Sequence, residues 1–339
     1  MAQSLATKYR PHDFATVVGQ EMIVSILKKQ LELGSFKNCY LFCGSSGCGK
    51  TTLARIFANE INKGKGSPIE IDAASNNGVD NVKSIVANAS QRAIDSEYKI
   101  YIIDECHMIT VQGWNAFLKC IEEPPAYTIF IFCTTDPQKI PATIINRCMR
   151  FNFSKIRSEL IFTRLCQICE AENIKNYSDS VEVISRSSNG QLRDAIANLE
   201  KVVDYGSDLD IETTLSVLGR YSYVKLFDLM DKIIDGNEGD VITYLEEAAE
   251  NITDWKYFSD MFLGFCLDLF KYATLHNIYV TSIPSVYKDK VDQLVNFQDA
   301  NKYYSYVMNK LLELKNMIKT DNYPFYSIQT ILLQIARCE

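Results

Sequence analysis

The 339-residue chain has no run of 18 or more consecutive apolar residues, so it offers no membrane-spanning helix. Its opening residues, MAQSLATKYRPHDF, are charged early and lack the apolar core of a secretory signal. Positive charge is not in excess: 35 Lys and Arg stand against 42 Asp and Glu, a formal net charge of −7. That balance argues against gripping nucleic acid through one large basic face. It leaves room for focal phosphate contacts, especially where several subunits each supply a few. No internal repeat or low-complexity tract stands out. The 11 cysteines are odd in number, scattered from Cys39 to Cys338, and often lie inside apolar runs, as in NCYLFCG and TIFIFC. They do not read as the disulfide framework of a small secreted chain, but as buried free thiols in a reducing, cytoplasmic setting. Cys166 and Cys169 form a CxxC with no second Cys or His pair nearby, and zinc needs four ligands, so no zinc site is expected.

What is present is apolar substance, 47% of the residues, enough for a sizeable core, in a length that suits two or three domains. The first half alternates short apolar runs with helical patterns. Strands are expected at Cys39–Cys43, Ile69–Ile71, Ile100–Ile103, Thr128–Thr134 and Met149–Phe153. Helices are expected at Glu21–Leu33, Lys50–Asn62, Val79–Asp95 and Gly113–Ile121. Such β-α alternation, with continuously apolar strands, predicts an α/β fold built on a parallel sheet covered on both faces. From about Ser158 the strand signals stop. Leu160–Asn173, Ser178–Ser187 and Gln191–Tyr205 read as a small helical unit. Beyond Ile211 the pattern is helical again, with Leu226, Leu229, Met230, Ile233 and Ile234 on one stripe and a last helix near Tyr326–Arg337. The expected domains are 1–155, 156–208 and 209–339.

Gly44–Ser45–Ser46–Gly47–Cys48–Gly49–Lys50–Thr51 fits GxxxxGK[ST], directly after an expected strand and at the start of an expected helix. Glycines let the backbone wrap phosphate oxygens with N–H groups pointing inward, and the helix N-terminus adds its positive end. In this reading Lys50 reaches the β- and γ-phosphates of ATP, the Thr51 hydroxyl ligates Mg²⁺, and Thr52 belongs with the loop to the nucleotide-binding residues. A second apolar strand ends in two carboxylates, Asp104 and Glu105. Asp104 is suited to hold Mg²⁺ through water, and Glu105 to polarise an attacking water.

Further blocks narrow the reading. LATKYRP at Leu5–Pro11 is followed by Phe14 and by VVGQ at Val17–Gln20. Then come IEIDAASNNGVD at Ile69–Asp80, NAFLKCIEEPP at Asn115–Pro125, TTDPQKIP at Thr134–Pro141 and GQLRDA at Gly190–Ala195. In this order and spacing they resemble the gamma/tau subunits of bacterial DNA polymerase III, the AAA+ ATPases of sliding-clamp loaders. The likeness is very specific over residues 4–200 and rests on pattern beyond.

The resemblance implies an AAA+ P-loop parallel-sheet domain, a small helical lid domain and an all-α collar domain. It implies that Tyr9, Arg10 and Val18 cradle adenine, that Thr135 is sensor 1 and that Arg193 is sensor 2. Arg147 matches the arginine finger that enters a neighbouring subunit's site, with Lys119 at the same interface. The implied partners are other loader subunits or further copies of the chain in a ring, a sliding clamp and primer–template DNA, with Ser75, Asn76 and Asn77 near the DNA chamber. The implied location is the cytoplasm, at the nucleoid and replisome. Three departures stand out. Asn146 replaces the usual serine before the finger. Asn62–Pro68 takes the place of a four-cysteine zinc module. The chain stops where the family's collar ends, which suits a compact form without the tau tail. No acidic constellation for polymerase chemistry is present. The alternatives are a non-catalytic scaffold subunit and another AAA+ DNA motor such as a branch-migration helicase.

Overall fold

Strands and helices alternate through the first half of the protein: α1 (Leu5–Lys8), α2 (Glu21–Leu33), β1 (Cys39–Cys43), α3 (Lys50–Ile61), β2 (Ile69–Asp72), α4 (Val79–Ala89), β3 (Lys99–Asp104), α5 (Val111–Glu122), β4 (Thr128–Thr134), α6 (Ala142–Ile145), β5 (Met149–Asn152) and α7 (Ser158–Ala171). The second half is helical: α8 (Ser178–Ser187), α9 (Leu192–Tyr205), α10 (Ile211–Val217), α11 (Tyr223–Ile234), α12 (Glu238–Ala249), α13 (Trp255–Leu275), α14 (Lys288–Val295), α15 (Ala300–Met317) and α16 (Pro324–Arg337). The structure, a computed structural model, describes residues 3–206, 209–250 and 252–337. The chain divides into two compact units. Met1–Ile168 with Ser188–Glu200 forms the first; Cys169–Ser187 with Lys201–Glu339 forms the second. The expected domain break at 208 lies outside the described residues.

In the first unit the five strands are all parallel, in the order β2-β3-β4-β1-β5. β1 and β4 are buried at every position, which only central strands covered on both faces can be. Their side chains divide by the strand's two-residue period. Tyr40, Phe42, Ile129 and Ile131 pack on one face with Leu27, Leu53 and Phe57 from α2 and α3. Cys39, Leu41, Phe130 and Phe132 pack on the other with Val82, Trp114 and Phe117 from α4 and α5. Each such large side chain contributes about 1.5–3 kcal/mol of apolar burial. This is the α/β AAA+ architecture.

Two local expectations need correction. β2, expected as one of the continuously apolar covered strands, reads Ile-Glu-Ile-Asp and is largely exposed, as an edge strand paired only with β3. The helix expected over Val79–Asp95 stops at Ala89. Its last carbonyls are taken by tertiary partners: Asn88 O accepts from Lys99 Nζ at 2.6 Å, and Ala89 O from the buried Thr128 hydroxyl at 2.8 Å. Those bonds satisfy acceptors that another helical turn would have used.

The second unit is all helix. Leu226, Leu229, Met230 and Ile233 of α11 are buried, with Ile234 packed against the same core. Within this unit the nearly buried Arg186 pairs with Glu182 at 2.6 Å and donates to the carbonyls of Ile278, Thr281 and Ile283. Among the described residues all cysteines but Cys148 and Cys166 are buried; Cys338 lies outside them. No described helix is long and apolar enough to cross a membrane.

Candidate functional site

The sheet order brings the site together. β4 lies between β1 and β3, so the segments leaving the carboxyl ends of all three strands are neighbours. The loop Gly44–Gly49 leaves β1, Asp104 and Glu105 close β3, and Thr134 and Thr135 close β4. Clefts at this edge of an open parallel sheet are where ligands bind.

The loop adopts the backbone its glycines permit. Gly47 and Gly49 have φ of 68° and 101°, and Gly49 caps the N-terminus of α3. A Cβ on Gly47 would also lie 3.1 Å from Gln191 Cβ. The Lys50 side chain folds back over the loop and donates to Gly44 O and Ser45 O, each at 2.8 Å. Thr51 Oγ1 donates to Asp104 Oδ2 at 2.7 Å. Thr135 Oγ1 donates to Glu105 Oε2 at 2.9 Å. Burial pushes the Cys48 thiol up, so the loop cysteine stays protonated at neutral pH.

One cleft is lined by Tyr9, Arg10 and Val18 on one side, Ser46 through Thr52 beneath, Asp104 and Glu105 at the strand end, and Leu192, Arg193 and Ile196 opposite. The wall carrying Tyr9 is braced within the same unit. Arg164 Nη2 donates to Tyr9 O at 3.1 Å, and Leu5 N donates to Glu200 Oε1 at 3.0 Å. Gly44 and Ser45 bear on the cleft through Lys50, and Thr135 through Glu105. Arg147 is not brought to it. β1 and β5 pair with Tyr40 opposite Met149, so Arg147 lies at the amino edge of the sheet and the loop at the carboxyl edge. The length of β1 separates them, roughly 16 Å at the ordinary rise of a strand. Lys119 is exposed on α5, and Ser75, Asn76 and Asn77 follow β2.

Oxygen donors from Thr51 and Asp104 meet at the floor of the cleft, a set that suits the hard ion Mg²⁺. Among the described residues no group of three or more His, Cys, Asp and Glu is arranged to hold a metal ion.

Three supporting residues carry no role in the sequence reading. Gln20 is buried at the start of α2; its amide donates to Ser154 O at 2.7 Å and reaches Cys48 O at 3.4 Å, tying the phosphate loop to the strand-to-helix connection. His107 Nδ1 lies 3.2 Å from both Glu105 Oε2 and Thr134 Oγ1. Glu122 contacts Arg147. Gln20 lies in the VVGQ block and Glu122 in the NAFLKCIEEPP block, but contacts between distant segments leave no mark in spacing.

A family profile described as "DNA polymerase III, delta subunit" matches residues 69–157. The tau subunit of DNA polymerase III from Bacillus subtilis is 38% identical over 295 residues, 80% of this chain and 52% of that one. The gamma/tau subunit from Mycoplasma genitalium is 33% identical over 342 residues, 93% of this chain and 56% of that one. Over most of its length the chain is similar to the gamma/tau subunits of DNA polymerase III. The chain spans about half the length of the curated relatives it matches. In fold it is similar to the RuvB Holliday junction branch migration motor of Thermotoga maritima. The TM-score is 0.53 over 67% of this chain and 80% of that one, at 18% identity, a likeness of architecture alone.

Proposed function

We propose that the protein is an ATP-hydrolysing motor subunit of a sliding-clamp loader. The observation that carries the reading is the convergence, in one cleft, of an intact phosphate loop, Thr51 on Asp104, and Thr135 on Glu105. Similarity to the gamma/tau subunits supports the biological setting.

ATP enters with its adenine against Tyr9, Arg10 and Val18 and its phosphates along Ser46–Thr52. Lys50 exchanges the Gly44 and Ser45 carbonyls for β- and γ-phosphate oxygens, a small side-chain movement from a charge already desolvated at the loop. Thr51, and Asp104 through water, would hold Mg²⁺, which when bound would supply positive charge against the phosphates. Glu105 accepts the proton of the attacking water, and Thr135 orients that carboxylate. Arg193 contacts the phosphates from the opposite wall. The charge that develops in the transition state needs a further cation, and Arg147 stands at the wrong edge of the sheet to serve its own cleft. It therefore acts on the site of an adjoining subunit, which makes hydrolysis conditional on assembly. ATP binding arranges the subunits to grip and open the clamp. Primer–template DNA, held by phosphate contacts, then triggers hydrolysis and release. The helices beyond residue 208 form the collar that joins subunits, with residues 156–208 as the lid.

A mixing assay tests the reading. Lys50→Ala and Arg147→Ala are each expected to lack DNA-stimulated ATP hydrolysis when assembled with partner subunits, clamp and primed DNA. Mixed together, they should recover part of it, because an intact loop in one subunit meets an intact arginine from another. No recovery, with wild type active, would remove the trans-acting arginine from the mechanism. No hydrolysis by wild type in the full assembly would favour a scaffold subunit.

A further inference from the structure

The Arg147 guanidinium is tied at two corners. Nη1 donates to Thr143 O at 2.7 Å, and Nη2 meets Glu122 Oε1 at 2.6 Å. Glu122 is the last residue of α5, and Arg147 follows α6 by two positions, so the pair bridges two helices that pack together. A cation at the carboxyl end of α5 is also favoured by the helix dipole. Yet the Arg147 and Glu122 side chains are 39% and 46% exposed, and an ion pair so open to water contributes little to the fold. What it does alter is freedom. An arginine at an open surface explores many rotamers and loses that entropy on engaging a phosphate, whereas a guanidinium already fixed loses less. Two contacts use two of the five N–H groups of the fork, leaving three for an incoming phosphate. Arg147 can therefore engage without releasing Glu122.

We propose that Glu122 is a positioning residue for Arg147: it holds the guanidinium in the orientation in which it enters the adjoining subunit's nucleotide site. This rests on the reading of Arg147 as a trans-acting arginine. Glu122 thus serves the reaction of a neighbour and not that of its own cleft, which it does not line.

The test uses Glu122→Gln, which keeps the size and one acceptor but removes the charge, in the assembly with partner subunits, clamp and primed DNA. The expected result is a fall in kcat of about tenfold, as for a misplaced transition-state contact, with KM for ATP unchanged. Adding Glu122→Gln to Arg147→Ala should cause no further loss, since the two residues act as one unit. Mixed with Lys50→Ala, Glu122→Gln should regain activity, which also shows that the variant folds and assembles. Mixed with Arg147→Ala it should regain none. Unchanged or faster hydrolysis by Glu122→Gln, an additive loss in the double variant, or no rescue by Lys50→Ala would each overturn the assignment. If Arg147→Ala itself hydrolyses ATP at the wild-type rate, the trans-acting reading fails as well. If Arg147→Ala is inactive and Glu122→Gln is not impaired, only the role of Glu122 fails.

Discussion

Glu105 has φ 46° and ψ 41°, the left-handed region that a side chain bearing a Cβ enters at a cost of about 1–2 kcal/mol. It is held there by its neighbours. Its N–H donates to Asp104 Oδ1 at 3.0 Å, and its carboxylate accepts from Thr135 and lies beside His107. A strained residue kept in place by several contacts is typical of a group whose direction matters more than its comfort. The adjacent acids are thereby turned to different partners, Asp104 towards Thr51 and Glu105 towards Thr135. The expected outcome for Glu105→Gln is retained ATP binding with hydrolysis reduced by about a hundredfold or more, the scale of a lost general base. Equilibrium nucleotide binding and single-turnover hydrolysis would separate the two effects. A variant that fails to bind ATP would instead make Glu105 a binding group.

Among the elements, the connections around the loop decide whether the cleft exists. Gly190, just before α9, has φ 80°, and a Cβ there would lie 2.6 Å from Lys155 Cβ and 3.1 Å from both Ile156 N and Ile156 O. Its carbonyl accepts from Ile156 N, so the GQLRDA segment and the connection after β5 meet backbone to backbone. Gly190→Ala is expected to destabilise the first unit by about 1–3 kcal/mol, read as an earlier urea midpoint, and to weaken ATP binding by displacing Arg193. An unchanged midpoint would mean that the connection yields without strain. The same dependence on distant partners explains why α4 ends early. Its helical periodicity is genuine, but Lys99 and Thr128 claim its last carbonyls, and neither is local in sequence. In contrast, β1, β4, α2 and α8 are readable to the residue, because apolar continuity, the glycine ending α2 and helical spacing are local signals.

For the whole molecule, net charge is the relevant quantity. At −7 the chain carries no general attraction for a polyanion, so DNA is held in the proposed assembly by a few contacts per subunit. The isolated chain should bind primed DNA weakly. Its dissociation constant should rise by about tenfold between about 50 and about 200 mM salt, the loss expected for a few phosphate contacts. Titration of labelled primed DNA at the two salt concentrations measures it. A tight complex indifferent to salt, or selective for base sequence, would contradict a backbone-reading loader subunit.

The sequence by itself determined the likeness to gamma/tau subunits, the α/β AAA+ fold class and the chemical content of the cleft. Those depend on residue type and short spacing: GxxxxGK[ST] after an apolar strand, two acids at a strand end, and ordered blocks such as EEPP and TTDPQKIP. Only the tertiary structure decided that Gln20 ties the phosphate loop to Ser154, that His107 lies against Glu105, and that Glu122 holds Arg147. It also decided that Arg147 and the phosphate loop occupy opposite edges of one sheet. The physical reason is the same in each case. A strand order of β2-β3-β4-β1-β5 makes neighbours of residues far apart in the chain and separates others, and no local propensity encodes that order.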